Sequence, residues 1–284
     1  MEYIVELKRV TKIYSDQEKK FQVLNGIDLK VRKGDFISVK GPSGSGKTTF
    51  LNILGGNLQP SSGEVIIGGL PLHLLDENSL NSYRKSYCGM LWQDAHENLI
   101  PELTVEENIE HVMMIGGYPI EKRKKRIEFL LESFDIKSRA KHKLHQLSGG
   151  EALRASLAAS MVNEPELLLC DEPTGELDSE TSRMIIDFLK KVNKEIGTTI
   201  IVVTHDELFD LEVNMTFDLK DGNLVLARAP NTIAEDPKQV IAFMNAIGQI
   251  QIPPHLLPDK GRFFKIEKKG ESIVLIPIME STDY

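Results

Sequence analysis

Short apolar segments alternate along the chain with longer segments in which apolar residues recur every three or four positions. Four short segments rich in valine, isoleucine, leucine and methionine predict β-strands at residues 36–40, 88–92, 167–171 and 199–204. The longer segments predict helices, because that spacing places apolar side chains on one helix face. Strands and helices that alternate in this way are typical of an α/β fold with a mainly parallel sheet.

Further elements extend the pattern on both sides of these strands. Residues 4–10 and 23–31 predict strands that flank a polar hairpin, which indicates an antiparallel β subdomain. The strand at residues 36–40 leads into a glycine-rich turn and then into a helix at residues 47–54. A last strand is expected at residues 223–227, just before the composition changes.

The middle of the chain is mainly helical. Between residues 104 and 162 the apolar positions follow a helical period, as in the group Ile127, Leu130, Leu131 and Phe134. We therefore expect a helical subdomain at about residues 104–162, inserted into the α/β core.

A domain boundary is expected at Ala229–Pro230–Asn231, where the composition shifts. This divides the chain into a nucleotide-binding domain at residues 1–228 and a small α+β extension at residues 229–284. In the extension, Asp236 and Pro237 can start a helix. Segments at 263–267 and 272–278 predict a β-hairpin. Such an extension is either a small lid packed on the domain or a tail that pairs with its counterpart in a second copy.

Charge and cysteine content restrict the classes of function. The 284 residues carry a formal charge of −8, which argues against a nucleic-acid partner, and the basic run at residues 122–126 is interpreted as a solvated helix face. No apolar run approaches the roughly 18 residues needed to cross a bilayer, so a cytoplasmic protein is expected. Cys88 and Cys170 are expected to be reduced thiols without a metal.

The glycine-rich turn carries the strongest chemical signal. Residues 41–48 read Gly-Pro-Ser-Gly-Ser-Gly-Lys-Thr and fill the phosphate-binding P-loop pattern. Glycines let several backbone N–H groups point at one anion, and the following helix adds its positive end. Lys47 is expected to reach the β- and γ-phosphates, and the Thr48 hydroxyl to ligate Mg²⁺. The plainer alternative is a turn with a surface lysine.

Two carboxylates follow the apolar strand at residues 167–171. Asp171 and Glu172 lie at the carboxyl end of this strand, where open α/β sheets bind their ligands. Asp171 suits the Mg²⁺ shell, and Glu172 can polarise the attacking water. Without a P-loop, two such acids would more often be a helix cap or part of a turn.

With these motifs in place, the sequence resembles the ABC ATPases over residues 1 to about 228. The most discriminating element is the run Leu147-Ser148-Gly149-Gly150-Glu151, which matches the family signature except that Glu151 stands where glutamine is most frequent. A serine-glycine turn that opens a helix is a second phosphate site. In the family this turn faces the nucleotide of the opposite subunit. An isolated example would be an ordinary helix cap.

The resemblance assigns ATP contacts to Tyr14, Gly41, Ser43, Gly44, Ser45, Gly46, Lys47, Thr48 and Thr49. Tyr14 corresponds to the aromatic residue that stacks on adenine. Gln93 corresponds to the glutamine that touches Mg²⁺ and the lytic water, so the metal set is Thr48, Gln93 and Asp171. His205 corresponds to the histidine at the γ-phosphate, and Asp178 to the loop that communicates across the dimer. Outside this context, Tyr14 and His205 would be packing residues and Asp178 a helix cap.

The implied activity is hydrolysis of ATP, with Mg²⁺, by two copies that close head to tail. Each ATP is expected between one P-loop and the partner's residues 148–150, most simply in a homodimer. Integral membrane subunits on separate chains are implied as partners that dock near residues 93–102. The protein would then lie on the cytoplasmic face of the membrane.

Residues 172–178 are similar to the corresponding run in lipoprotein-releasing and macrolide-efflux ATPases, although Glu176 stands where asparagine is usual. This favours export, or extraction of lipid or lipoprotein, with import left open. The alternative is a soluble ABC ATPase that serves repair, translation or cofactor assembly. Repair ATPases carry a long coiled coil and translation factors usually carry two sets of motifs, and neither feature is present in this sequence.

Overall fold

The computed structural model describes residues 3–16, 19–175, 177–228, 263–269 and 272–278. The chain divides into two compact units, Met1–Val240 and Ile241–Tyr284.

Two sheets and a set of helices form the described part of the first unit. The strands are β1 Tyr3–Asp16, β2 Lys19–Arg32, β3 Phe36–Lys40, β4 Ser62–Ile67, β5 Leu70–Pro71, β6 Cys88–Leu91, β7 Leu167–Asp171, β8 Thr199–Thr204, β9 Met215–Lys220 and β10 Asn223–Arg228. The α-helices are α1 Lys47–Leu54, α2 Glu77–Ser86, α3 Ala95–Asn98, α4 Val105–Ile115, α5 Ile120–Ser133, α6 Gly149–Ser160 and α7 Ser179–Lys191. Of these described helices, none has the length and apolarity that crossing a bilayer requires.

The larger sheet has six strands in the order β10-β9-β3-β8-β7-β6. All neighbours are parallel except β9 and β10. Strands β7 and β8 are buried along their whole length, which is why they read as continuous apolar runs rather than as alternating ones. Three of the four strands predicted from these runs have the expected bounds, and the fourth ends one residue early at Leu91. The α/β class with a mainly parallel sheet is confirmed.

The smaller sheet is antiparallel, with the order β2-β1-β4-β5. It contains the hairpin predicted near the start of the chain, but β1 and β2 are each 14 residues long, longer than the sequence pattern indicates. The halves of β1 and β2 nearest the turn between them expose large side chains, among them Ile13, Tyr14 and Phe21. These halves therefore lack the alternation of buried and exposed residues from which a strand is predicted. Tyr14 lies opposite Phe21 in this part of the hairpin.

Two hydrophobic cores cover opposite faces of the larger sheet. Leu167 and Leu169 of β7 pack into a core shared with α1 and the smaller sheet, whereas Leu168 and Cys170 pack into a core shared with α4, α5, α6 and α7. Each such buried aliphatic side chain stabilises the fold by about 1.5–3 kcal/mol. The helical region predicted at about residues 104–162 is mainly helical, and its first helix begins at a capping box formed by Thr104 and Glu107.

The described part of the second unit is a pair of antiparallel strands, β11 Phe263–Lys269 and β12 Ser272–Ile278. They lie where the sequence indicates a hairpin. The boundary expected at residues 229–231 and the helix expected from Asp236 fall outside the described residues.

Candidate active site

The P-loop connects the end of β3 to the start of α1. Gly44 and Gly46 have φ angles of 78° and 103°, which side chains with a Cβ rarely adopt. Gly41 must also be glycine, because a Cβ there would lie 2.3 Å from the carbonyl oxygen of Leu219. Close packing against neighbouring strands therefore fixes the loop, and its backbone N–H groups stand at the positive end of α1.

Lys47 is the first residue of α1, and its side chain is only 9% exposed. Its ammonium group donates to the carbonyl oxygens of Gly41 at 2.8 Å and Pro42 at 3.3 Å. The same nitrogen lies 3.3 Å from Oε1 of Glu172. The lysine is thus held across the mouth of the loop and paired with the acid that directly follows β7.

Asp171 is the last residue of β7 and Glu172 directly follows it, and the two predicted acids have different surroundings. Burial raises the pKa of the Asp171 carboxyl above its ordinary value, and a hydrogen bond from the Thr48 side chain acts in the opposite direction. Thr48 and Asp171 therefore place a hydroxyl and a carboxylate side by side, a set of oxygen donors that fits Mg²⁺. Glu172 has a left-handed backbone with φ of 45°, an unfavourable conformation that is typical of functional sites.

Glu172 is joined to His205 by two hydrogen bonds. Its Oε2 accepts from the backbone N–H of His205 at 3.1 Å and lies 2.9 Å from Nδ1 of the imidazole. The carboxylate is 11% exposed, while the imidazole is 68% exposed and faces the open side of the site. The loops that carry them are also tied together, since the Thr174 hydroxyl donates to Asp206 at 2.8 Å.

A cavity of about 770 Å³ opens above these residues. Its lining brings together residues far apart in the sequence: Val23, Gly41, Pro42, Ser43, Gly44, Gly46, Lys47, Thr48, Thr49, Gln93, Asp171, Glu172 and His205. Ser45 of the loop does not line it; the Ser45 hydroxyl is buried and has no hydrogen-bond partner among the described residues. The predicted catalytic and metal-binding residues thus share one cavity.

Tyr14 lies at one side of the P-loop, outside the cavity lining. Its hydroxyl is 3.4 Å from Oγ1 of Thr49, and the Lys12 ammonium lies 5.2 Å from the centre of its ring. The ring is 41% exposed. An exposed aromatic ring beside the phosphate loop has room to stack on a base.

The serine-glycine turn forms a second structure, separate from the cavity lining. Ser148 is the N-cap of α6: its hydroxyl accepts from the Glu151 backbone at 3.3 Å, and the Glu151 carboxylate accepts from the Ser148 backbone at 2.8 Å. This capping box leaves the N–H groups at Gly149 and Gly150 at the helix start. Ser148 and Gly149 are exposed. The turn therefore presents donors to a ligand outside its own chain's cavity.

Glu151 is held by a basic residue that the sequence did not indicate. Arg139 donates from Nε to Oε1 of Glu151 at 2.7 Å. The hydrogen bond from the Ser148 backbone and this contact lower the pKa of Glu151 to about 2. The carboxylate is consequently charged at neutral pH, and the guanidinium offsets its charge beside the turn.

Asp178 caps α7 next to the serine-glycine turn. Its carboxylate accepts from the backbone N–H groups of Glu180 at 3.0 Å and Thr181 at 2.9 Å, and these contacts lower its pKa. Thr181 packs closely over Gly150, since a Cβ on that glycine would lie 2.7 Å from the Thr181 methyl carbon. The two motifs thus form one surface.

Sequence reasoning missed three residues of these structures. Val23 and Pro42 line the cavity, and Arg139 pairs with Glu151. Pro42 lies inside the P-loop pattern, whose variable positions carry no signal. Val23 belongs to a predicted strand, but only tertiary packing brings it to the loop.

The sequence model of the family described as ABC transporter matches residues 24–175. The lipoprotein-releasing system ATP-binding protein LolD of Syntrophus aciditrophicus is 39% identical over 222 residues, which are 78% of this chain and 99% of the relative. An uncharacterized ABC transporter ATP-binding protein of Methanocaldococcus jannaschii, MJ0796, is 42% identical over 78% of this chain and 95% of the relative.

A solved structure gives the same result for the fold. The dimeric MJ0796 cassette in a post-hydrolysis state, bound to ADP and Pi, superimposes with a TM-score of 0.72 at 38% identity. It covers 79% of this chain and 97% of that protein.

Proposed function

The chain belongs to the ABC transporter family as an ATP-binding and ATP-hydrolysing subunit, and on this premise we propose how its residues divide the work. The observation that carries the proposal is the cluster of Lys47, Glu172 and His205 inside the phosphate cavity. Glu172 contacts both the lysine and the imidazole, and these three groups are the ones that phosphoryl transfer to water needs.

The P-loop N–H groups bind the phosphates, and Lys47 stabilises the charge that develops on the γ-phosphate. Glu172 orients the attacking water and accepts its proton, since the carboxylate is buried yet lines the cavity. His205 holds Glu172 through Nδ1 and leaves its other nitrogen for the phosphate. Tyr14 stacks on the adenine.

Mg²⁺ fits the oxygen donors of Thr48, Asp171 and Gln93, all of which line the cavity. When bound, the ion neutralises phosphate charge. The chain's own part is to keep Thr48 and Asp171 in hydrogen-bond contact and to keep Asp171 buried at the end of β7.

Two copies complete each other's sites. Ser148, Gly149 and Gly150 lie outside the cavity lining of their own chain, so the phosphate they bind belongs to a second copy. ATP then joins the two subunits, and loss of the γ-phosphate contacts reopens them. The dimeric state of the M. jannaschii cassette supports a homodimer.

A second groove, of about 280 Å³, suits the membrane partners. It lies between α2, β6, α4 and α6, and its walls include Arg84, Trp92, Ile115 and Asn163. Trp92 directly precedes Gln93, so a helix seated in this groove would be linked to the γ-phosphate end of the site. We place integral membrane subunits here, with the ATPase on the cytoplasmic face. The LolD relatives favour lipoprotein or lipid extraction as the work done.

Replacement of Glu172 by glutamine tests the catalytic assignment. Glu172→Gln keeps the size of the side chain and removes the base, so we expect ATP-dependent dimers to persist while steady-state turnover falls about 100-fold or more. Gel filtration with and without Mg-ATP, beside a phosphate-release assay, measures both. Glu195→Gln, an exposed and remote change of the same kind, is the control. Unchanged turnover in Glu172→Gln would remove Glu172 as the base.

Affinity purification from detergent extracts tests the partner assignment. The full chain is expected to bring down a polytopic membrane protein. Arg84→Glu together with Asn163→Asp in the groove should reduce that recovery without affecting the ATPase of the isolated chain. Recovery of soluble partners alone would favour the soluble ABC ATPase.

A further inference from the structure

The corner between α4 and α5, residues 114–125, exposes large apolar side chains. Met114 and Ile115 end α4 with 57% and 54% exposure, and Ile120 begins α5 with 75% exposure. In contrast, Met113, the preceding residue of α4, is fully buried. Exposed apolar side chains that cluster at one corner point to a binding surface more strongly than scattered ones do.

The same corner carries an excess of positive charge, because its one acid, Glu121, stands beside the four basic residues 122–125. Lys122, Lys124 and Lys125 are exposed, and in the part of the chain that the structure describes their ammonium groups have no ion pair or hydrogen bond. The neighbouring arginines differ from them. Arg123 donates to the carbonyl oxygen of Tyr118 at 3.0 Å, and Arg126 pairs with Glu164 at 3.2 Å.

Charge complementarity identifies the occupant. The chain as a whole carries a formal charge of −8, so an anionic surface would repel most of it and attract this corner. A surface that takes both apolar side chains and lysines is the headgroup region of an anionic bilayer, where the lysine stems lie along apolar surface and the ammonium groups meet phosphates. Nucleic acid would match the lysines but leave Met114, Ile115 and Ile120 in water.

The position of the corner agrees with this occupant. Ile115 and Gly116 also line the groove assigned above to the membrane subunits, so the corner and the groove face the same side of the molecule. We propose that the α4–α5 corner binds anionic lipid headgroups directly, holding the ATPase against the bilayer beside its membrane partner. The inference relies on the proposed function for the groove, but its test does not need the membrane subunits.

The experiment is co-sedimentation of the full chain with protein-free vesicles, made either of phosphatidylcholine or of phosphatidylcholine mixed with phosphatidylglycerol. Binding is expected only to the anionic vesicles and should weaken as salt is added. The variant Lys122→Gln, Lys124→Gln, Lys125→Gln is expected to lower the apparent partition coefficient by about tenfold or more, because each lysine near an anionic surface adds to the affinity. Ile120→Ser should lower it as well.

The matched control changes Lys30, Lys191 and Lys194 to glutamine, which removes the same charge from exposed positions elsewhere. It should bind nearly as well as the wild type. Equal loss in the control, or no preference of the wild type for anionic vesicles, would overturn the proposal. Inorganic phosphate at constant ionic strength should not compete; if it abolishes binding, the site is one for free phosphate.

The two proposals fail in different ways. The lysine variant should keep the ATPase activity and ATP-dependent dimers of the isolated chain, because none of its positions lines the cavity. If the lysine variant loses vesicle binding but keeps its ATPase activity, the result supports lipid binding by the corner and leaves the catalytic proposal unaffected. An inactive wild type that still binds vesicles speaks only against the catalytic proposal.

Discussion

Glu151 places a negative charge beside a turn that is proposed to bind a phosphate, and Arg139 counters it. The guanidinium meets one carboxylate oxygen at 2.7 Å, while the other oxygen accepts from Ser148 at 2.8 Å. In chains with glutamine at this position no such counter-charge is needed. We therefore expect Arg139 to act through Glu151, by neutralising the negative charge that would otherwise repel an anion at the turn.

Replacement of Arg139 by methionine should expose this role. Arg139→Met leaves the carboxylate charged, and its repulsion of the partner's triphosphate should weaken ATP-driven dimerisation by about tenfold, equivalent to about 1.4 kcal/mol. Sedimentation of a Glu172→Gln background in increasing Mg-ATP measures it. The hydrogen bond from the Ser148 backbone, the largest cause of the lowered pKa of Glu151, remains in the variant, so the carboxylate stays charged and the defect should not change between about pH 6 and pH 8.

The control is the double variant. With Glu151→Gln already present, there is no charge to offset, so Arg139→Met should have little further effect. An equal defect in both backgrounds would show that Arg139 only supports the fold.

The residues of the candidate site could be predicted from the sequence more completely than the residues that support them. Lys47, Asp171, Glu172 and His205 follow strands at motif positions, so the order of parallel strands brings them together. Arg139 lies in a short turn 12 residues before Glu151, and no local period connects the two. The pair depends on how α5 returns to the start of α6, which is a tertiary feature.

At the scale of elements, one side chain makes three hydrogen bonds to the segment that carries Gln93. Asn98, at the end of α3, accepts from the Trp92 backbone at 2.8 Å and donates to the Trp92 carbonyl at 2.8 Å and to the Asp94 carbonyl at 3.0 Å. The amide therefore closes a loop between β6 and α3. The Asn98 side chain thus holds the backbone on both sides of Gln93, at Trp92 and Asp94.

Asn98→Ala should release this loop. Loss of the amide leaves partly buried backbone groups unpaired, at a cost of about 1–3 kcal/mol, and should reduce ATPase activity more than P-loop occupancy because Gln93 is no longer positioned. Urea unfolding, nucleotide binding and phosphate release distinguish these effects. Asn223→Ala, which removes only a contact to the Asp221 carbonyl in a turn, is the comparison. Parallel loss of binding and turnover would contradict the positioning role.

Elements were predictable in proportion to their burial. The strands β3, β7 and β8 are short apolar runs with no exposed residue, and the sequence gives their bounds. Helix α2 buries only Leu80 and Tyr83, and its remaining residues are polar. Its sequence therefore has no apolar face from which a helix could be predicted. Strand β4 has an irregular burial pattern and was missed for the same reason.

At the scale of the whole molecule, the residues of the site lie in the first unit. The relatives that match 78% of this chain are covered over 95–99% of their own length, so the remaining part of the chain is not needed for their fold. A chain that ends at Arg228 should therefore fold, bind ATP and form ATP-dependent dimers with turnover within about twofold of the full chain, a difference below 0.5 kcal/mol.

Size measurement without ATP then decides between the two interpretations of the extension. If residues 229–284 form a lid, the full and shortened chains are both monomers. If they pair between copies, only the full chain is a dimer before nucleotide is added. An inactive shortened chain would instead make the extension part of the catalytic domain.

The separation of the Ser148 turn from the cavity of its own chain also governs kinetics. When catalysis requires one surface from each of two molecules, the rate of a dilute solution follows the square of the enzyme concentration, so halving the protein quarters the rate rather than halving it. Tethering the chain to a membrane assembly removes this dependence, because both copies are then held at a fixed local concentration. A specific activity measured for the free chain is accordingly a property of its dilution as much as of its chemistry.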